Sequence, residues 1–352
     1  MKRWILDWPE LVFTAAFVAI TLAASWASGM PIKLPEGDRA AFVGIHYLYP
    51  LAGIAACGAY ALLTKRRHLV KTFFVALPCY AVVLVCHFNL KLWIPHINRT
   101  TWDGLYWQTD LAVRPLVDAF IAVREVMAPV VPLDSNLYMI AFIAMFYLSF
   151  CLHALRDPRE FRTLFLAALL FQGSGALVYL VMPALGPFIY ETGVEPLTTI
   201  AQQSMLNSYR ENVAGGAAWI AANGGTQLTV GLAAMPSLHA GGAFLFLLFA
   251  WRSGRVLLPI YLPLFAFITI DAVANRWHYL IDLPVGILLA VACTWAASRL
   301  TRLEHAEKPA PGNEARELAE LEGASRTRFC LTSTSPNPPG PRHFSFLFTI
   351  CG

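Results

Sequence analysis

Apolar residues in this chain come in long blocks, and short charged turns divide the blocks. Eight of them stand out, at roughly 11–30, 46–64, 70–94, 137–154, 162–185, 237–251, 256–274 and 279–299. A helix needs about 20 apolar residues to cross a bilayer. Hydrocarbon offers the backbone no hydrogen-bond partner, so such blocks must be helical. The sixth is short, and Arg252-Ser253-Gly254-Arg255 separates it from the seventh. The pattern predicts an all-α fold, a polytopic membrane helix bundle with about eight transmembrane helices.

The segments between blocks read differently. In 96–136, Leu116, Phe120, Val123 and Met127 make one apolar stripe, while Asp110, Arg114 and Asp118 follow each other at intervals of four. This predicts an amphipathic helix at about 102–128, lying on the membrane surface or packed on the bundle. The Gly-, Ala- and Asn-rich loop at 186–235 receives no element. After residue 300, Glu-rich sequence gives way to Ser335-Pro336-Asn337-Pro338-Pro339-Gly340-Pro341, a disordered composition. The chain thus divides into two N-terminal helices (1–68), a catalytic membrane domain (69–300) and a disordered tail (301–352).

Composition agrees with the pattern. Of 352 residues, 14% are charged and 57% hydrophobic, and mean hydropathy is +0.55. A soluble domain carries about 25% charged residues, so a soluble enzyme or nucleic-acid-binding module is excluded. The net charge of +4 is too small to imply a polyanionic partner, and no nucleic acid is expected. Seven cysteines without a C-x-x-C pair argue against a zinc site or a disulfide framework. The A-x-A-like stretch near Ala23 lies inside the first apolar block, which reads as a retained helix and not a cleaved signal.

Charge placement predicts orientation. Lys2, Arg3, Lys65, Arg66, Arg67, Lys71, Arg156, Arg159, Arg162, Arg252, Arg255, Arg299 and Arg302 all fall in alternate junctions. The other junctions are longer and hold only Lys33, Arg39, Arg99, Arg114, Arg124, Arg210 and Arg276. Both termini are therefore expected in the cytoplasm. The loops at 31–45, 96–136, 186–235 and 275–278 then face periplasm, exterior or lumen.

The candidate chemistry lies in 235–286. His278 and Asp282 are four residues apart, which places them on one helix face, and a carboxylate beside an imidazole sets its tautomer. His239 precedes His278 by a helical hairpin whose limbs are each about 20–30 Å at 1.5 Å per residue, so both histidines return to one membrane face. Two imidazoles and a carboxylate suit nucleophilic attack by one histidine and proton donation by the other. Ser237 starts a helix there, and helix starts favour phosphate.

Pro236-Ser237-Leu238-His239 resembles the P-S-x-H motif of the type 2 phosphatidic acid phosphatase (PAP2) superfamily, and His278-Tyr279-Leu280-Ile281-Asp282 resembles its H-x-x-x-D motif. Met-Pro-Ser-Leu-His with His-Tyr-x-x-Asp is closest to the inositol phosphorylceramide synthase-like branch, which Ile94-Pro95, Asp103, Leu105, Asp110 and Met182-Pro183-Ala184-Leu185-Gly186-Pro187 also resemble. The motif pair is specific, and the upstream pieces are not. The resemblance implies a six-helix catalytic core and a two-step transfer without metal or cofactor. His278 attacks a lipid phosphate, Asp282 orients it, and His239 protonates the leaving oxygen. It implies a membrane phospholipid or isoprenoid phosphate as substrate, with a lipid alcohol as possible acceptor. The oligomeric state stays open.

The chain departs from the superfamily at its basic motif. K-x(6)-R-P survives only as Arg114-Pro115, with Trp107 where Lys is expected. Asp271-Ala272 stands where an S-R pair is expected before His278. The phosphate clamp is thereby unassigned, and a transferred phosphoryl group needs positive charge around it. Arg276, Lys91 and Arg114 are the candidates, with Asp110 and Ser237 as further substrate contacts. His87 and Lys91 share a helix face. Asp271 reads as a hydrogen-bonded structural group, Gln172, Gly173, Ser174 and Gly175 as close helix packing, and Trp102, Tyr106 and Trp107 as an interfacial belt ahead of a headgroup platform. Competing readings are a phosphatidate or polyprenyl-pyrophosphate phosphatase, and a non-catalytic lipid-binding or transport protein on the same scaffold. A soluble vanadate-dependent haloperoxidase shares the histidine motifs but not the eight apolar blocks.

Overall fold

The computed structural model describes residues 8–307 apart from 37–40, 43–44, 47–55, 57, 61, 65–66, 134–136 and 229–230. The second predicted span, 46–64, falls mostly outside the described residues, as does the tail after Glu307. Apart from a ladder pairing Ala41 with His46 and Phe42 with Ile45, the described elements are helices.

The long helices follow the apolar blocks. In chain order they are α1 (Pro9–Ser28), α2 (Arg67–Ile97), two shorter helices α3 (Asp103–Ala112) and α4 (Arg114–Met127), then α5 (Leu137–Arg156), α6 (Pro158–Val181), α7 (Pro196–Asn223), α8 (Leu238–Ser253), α9 (Leu258–Ala274) and α10 (Asp282–Glu307). Six stretches are long and apolar enough to cross a membrane: α1, residues 78–97 of α2, α5, residues 159–181 of α6, residues 255–274, and residues 282–302 of α10. Such a set is compatible with an integral, multi-pass membrane protein. The sixth predicted span, α8, is the exception. Its 16 residues reach about 24 Å, short of a hydrocarbon core of about 30 Å. Ten of them are buried, because α8 packs among α5, α6 and α9 and meets protein where a peripheral helix would meet lipid.

An aromatic core joins these helices. Phe146 stacks on Phe150 at 4.4 Å, and Phe150 meets the edge of Phe165 at 5.4 Å. Its one buried hydroxyl pair is satisfied: Tyr261 donates to the Met145 carbonyl at 2.8 Å and lies 2.8 Å from Ser149 Oγ. The expected close packing at 173–175 is present. A Cβ at Gly173 would stand 2.6 Å from the Phe13 ring, and one at Gly175 would stand 2.5 Å from Leu238.

Polar contacts gather the basic junctions at one end. Arg162 donates to Glu10 at 2.8 Å, Arg252 donates to Glu160 at 3.2 Å and to Ser298 at 3.2 Å, and Asp157 caps α6 through the Arg159 and Glu160 amides. The opposite end collects 98–133, 182–228, 231–236 and 275–281.

Two elements there differ from expectation. α4 buries Val117 and Arg124 and packs Phe120 and Ile121 inward, while Leu116 and Val123 of the predicted stripe are 50% and 44% exposed. An arginine supplies the reason: Arg124 is fully buried and paired, so a residue counted as polar marks the inner face. The segment 196–223, left without structure, is α7, bent where Gly216 adopts φ 56°. It buries Leu206 and Ile220, too far apart to make an apolar period, and two amide side chains. Gln202 donates to the Asn275 carbonyl at 2.7 Å, and Asn212 donates to the Leu92 carbonyl at 2.9 Å and meets His96 at 3.0 Å.

Candidate active site

His278 sits in the turn between α9 and α10, not on a helix as the four-residue spacing suggested. The pairing with Asp282 forms nonetheless, because Asp282 opens α10 and folds its carboxylate back over the turn. Oδ2 accepts the Tyr279 amide at 2.9 Å and lies 3.3 Å from His278 Nδ1. The same Nδ1 lies 2.8 Å from the Ala234 carbonyl. Both neighbours of Nδ1 are acceptors, so Nδ1 carries the proton and the lone pair is left on Nε2. Asp282 is fully buried, and its Oδ1 has no hydrogen-bond partner among the described residues.

His239 is the second residue of α8. Ser237 caps that helix, accepting the Ala240 amide at 3.4 Å, and its own amide donates to the Asp282 carbonyl at 3.1 Å. The α8 start and the α10 start are thus tied together by backbone. Glycine permits the approach: a Cβ on Gly286 would stand 2.3 Å from the Ser237 oxygen, and one on Gly241 would stand 2.4 Å from the Gly286 oxygen. His239 meets the edges of Tyr138 and Phe142, at 5.3 and 4.9 Å between centroids. It lies close enough to His278, Lys91 and His87 for their charges to interact.

The turn bearing His278 is braced from α3 and α4. Asp103 accepts the Leu185 amide at 2.9 Å, the Gly186 amide at 3.0 Å and the Tyr279 hydroxyl at 2.8 Å. Asp110 accepts the Leu280 amide at 2.9 Å and Arg276 Nη2 at 3.0 Å. Burial pushes the Asp110 carboxyl above the ordinary carboxylate range, against the pull of that amide and guanidinium. Arg124 donates to Asp271 at 2.8 Å, to Glu195 and to the Val131 carbonyl at 3.0 Å. Asp271 therefore has the structural role expected of it, and Arg124 is its partner.

The predicted substrate contacts separate into two groups. Both oxygens of Asp110 are engaged by protein donors, while the Ser237 hydroxyl accepts the Ala240 amide and keeps its own proton to donate. Arg114 grips Glu191 with two nitrogens at 2.7 and 2.9 Å and Asp118 at 2.7 Å, and its pKa is raised chiefly by the Glu191 hydrogen bonds. Arg276, at φ 57° and fully buried, lies between Asp110 and Glu191 and over the Trp107 ring at 5.5 Å. Its Nη1 has no partner among the described residues. Lys91 reaches inward from α2, its ammonium 5.7 Å from the Tyr179 centroid.

The aromatics also divide. Trp102 is 39% exposed, in keeping with an interfacial place, and Trp107 stacks on Tyr190 at 4.9 Å. Tyr106 departs from the predicted belt: it is buried, 5.7 Å from the Tyr279 ring, and its hydroxyl has no partner among the described residues. Burial, with the charges of Asp282 and Asp103, pushes its pKa up to about 12. Glu191 and Glu195 escaped sequence reasoning, because a lone glutamate in an unassigned loop carries no spacing signal.

The structure thus joins two imidazoles and a buried carboxylate at one end of a bundle of apolar helices. The model of the PAP2 superfamily matches residues 111–296, more than half of the chain, and the chain belongs to that superfamily. Membership points to phosphatase or phosphotransferase activity and to lipid phosphates as the general substrate class. The match includes His239, His278 and Asp282 but begins after Lys91 and Asp110. Comparison with curated proteins and with solved structures gives no match.

Proposed function

We propose that this protein transfers the phospho-headgroup of one membrane lipid to an alcohol, through a phosphohistidine on His278. The observation that carries the reading is the pair of acceptors on His278 Nδ1, which leaves Nε2 as the nucleophile. In the first step Nε2 attacks phosphorus and the bond to the lipid oxygen breaks. His239 gives that oxygen its proton, and Asp282 balances the charge on the His278 ring. In the second step the acceptor hydroxyl attacks phosphorus, its proton passes to His239, and the P–N bond breaks to free His278. Transfer is preferred to hydrolysis because the motif variant resembles that of the inositol phosphorylceramide synthase-like branch. The same reading has the termini in the cytoplasm and the histidines at the outer face, and the distribution of basic junctions supports it.

The test uses purified protein with headgroup-labelled phospholipid, with and without added lipid alcohol. Label should appear in a new lipid only when the alcohol is present, and an acid-labile label should stay on the protein when it is absent. Free phosphate or free phospho-headgroup as the sole product would overturn transfer. Full turnover by His278→Ala would overturn the histidine mechanism and favour the non-catalytic lipid-binding reading.

A further inference from the structure

Phosphoryl transfer requires a cation at the nonbridging oxygens, and the superfamily's basic motif is broken here. The outer arginines do not replace it. Arg114 and Arg276 face three carboxylates, Asp110, Asp118 and Glu191, all within ion-pair distance of them. That cluster carries no surplus positive charge for an anion, so Arg276 Nη1, left without a partner among the described residues, supplies at most one hydrogen bond and no net charge.

We infer that Lys91, on a helix outside the matched region, is the phosphate clamp of this site. Its ammonium has no carboxylate within ion-pair distance among the described residues, and it lies over the Tyr179 ring at 5.7 Å. An uncompensated cation in an apolar segment costs free energy and marks function. Snorkelling to the headgroups would turn it outward. Instead the side chain is half-buried against Tyr179 and within electrostatic reach of His239. The segment that crosses it is the one that holds the nucleophile. A Cβ on Gly231 would stand 3.0 Å from the Lys91 backbone and Cγ, and three residues on, the Ala234 carbonyl binds His278. Lys91 lies six residues before the end of α2, about 9 Å along the axis, so the bound phosphate sits within the bundle, below the helix starts that carry the histidines.

The inference rests on the histidine mechanism, and the experiment separates the two. Turnover, inhibition by orthovanadate and thermal unfolding in detergent are compared for the wild type and the Lys91→Met, Lys91→Arg and His278→Ala variants. Lys91→Met should lose about 100-fold in kcat, the scale of one lost oxyanion donor. Its vanadate IC50 should rise at least tenfold while Tm holds or rises, since no ion pair is broken. Lys91→Arg should recover part of both losses. Lys91→Gln serves the same comparison if Met lowers the folded yield. Kinetics and vanadate sensitivity within threefold of wild type in Lys91→Met, with His278→Ala inactive, would overturn the clamp alone. An active His278→Ala would overturn the mechanism and the clamp together.

Discussion

At the scale of single residues, the charge beside His278 is the sensitive point. Asp282→Asn keeps a carbonyl oxygen toward the Tyr279 amide and Nδ1, so the tautomer holds, but it removes the negative charge that balances the His278 ring. We expect kcat to fall by about 10³–10⁴-fold, the scale of replacing the carboxylate of a hydrolytic triad, with monodispersity in detergent unchanged. A loss under tenfold would mean that the ring needs no carboxylate to balance it. These three residues were legible in the chain itself, because a histidine at a helix start and a histidine–carboxylate pair one hairpin later leave a spacing. The state of the cations was not. Arg114, Arg276 and Lys91 look alike as letters, and they differ only in whether Glu191 and Asp110 reach them.

At the scale of elements, α4 is held by one buried arginine. Arg124→Ala leaves Asp271 and Glu195 buried without their cation, a change that costs about 3–5 kcal/mol. Chemical unfolding in mixed micelles should show that loss, and a change below 1 kcal/mol would refute the role given to this triad. The predicted apolar stripe is offset from the inner face of α4, with Phe120 and Met127 packed inward and Leu116 and Val123 exposed, for the same reason: hydrophobic periodicity treats every arginine as solvent-facing. α7 was illegible because amide side chains meeting backbone carbonyls, from Gln202 and Asn212, supply half of its buried positions, and Leu206 and Ile220 alone leave no period. Gly286→Ala forces its Cβ against the Ser237 oxygen, so the α8 and α10 starts must part. Turnover should drop at least tenfold while helical content by circular dichroism stays constant, and unchanged turnover would show that the joint tolerates the separation.

For the whole molecule, apolar block length predicted each of the six described stretches long and apolar enough to cross a membrane. α8 is the instructive departure, since a helix sheathed in protein has no bilayer to match. The orientation can be checked by labelling intact cells with a membrane-impermeant maleimide, native cysteines having been changed to serine. Arg210→Cys, exposed on α7, should label from outside, and Arg156→Cys, exposed at the α5 end, should label only after permeabilisation. The reverse pattern would invert the proposed topology.

The glycine joint between α8 and α10 carries a consequence for how the activity can diversify. A contact made by two bare backbones has no rotamers, so the reach from His239 to His278 works as a fixed ruler. Substitutions elsewhere on these helices cannot lengthen it by degrees. New substrates must therefore be won around the ruler, on α2 and in the outer loops, while the histidines keep one spacing throughout.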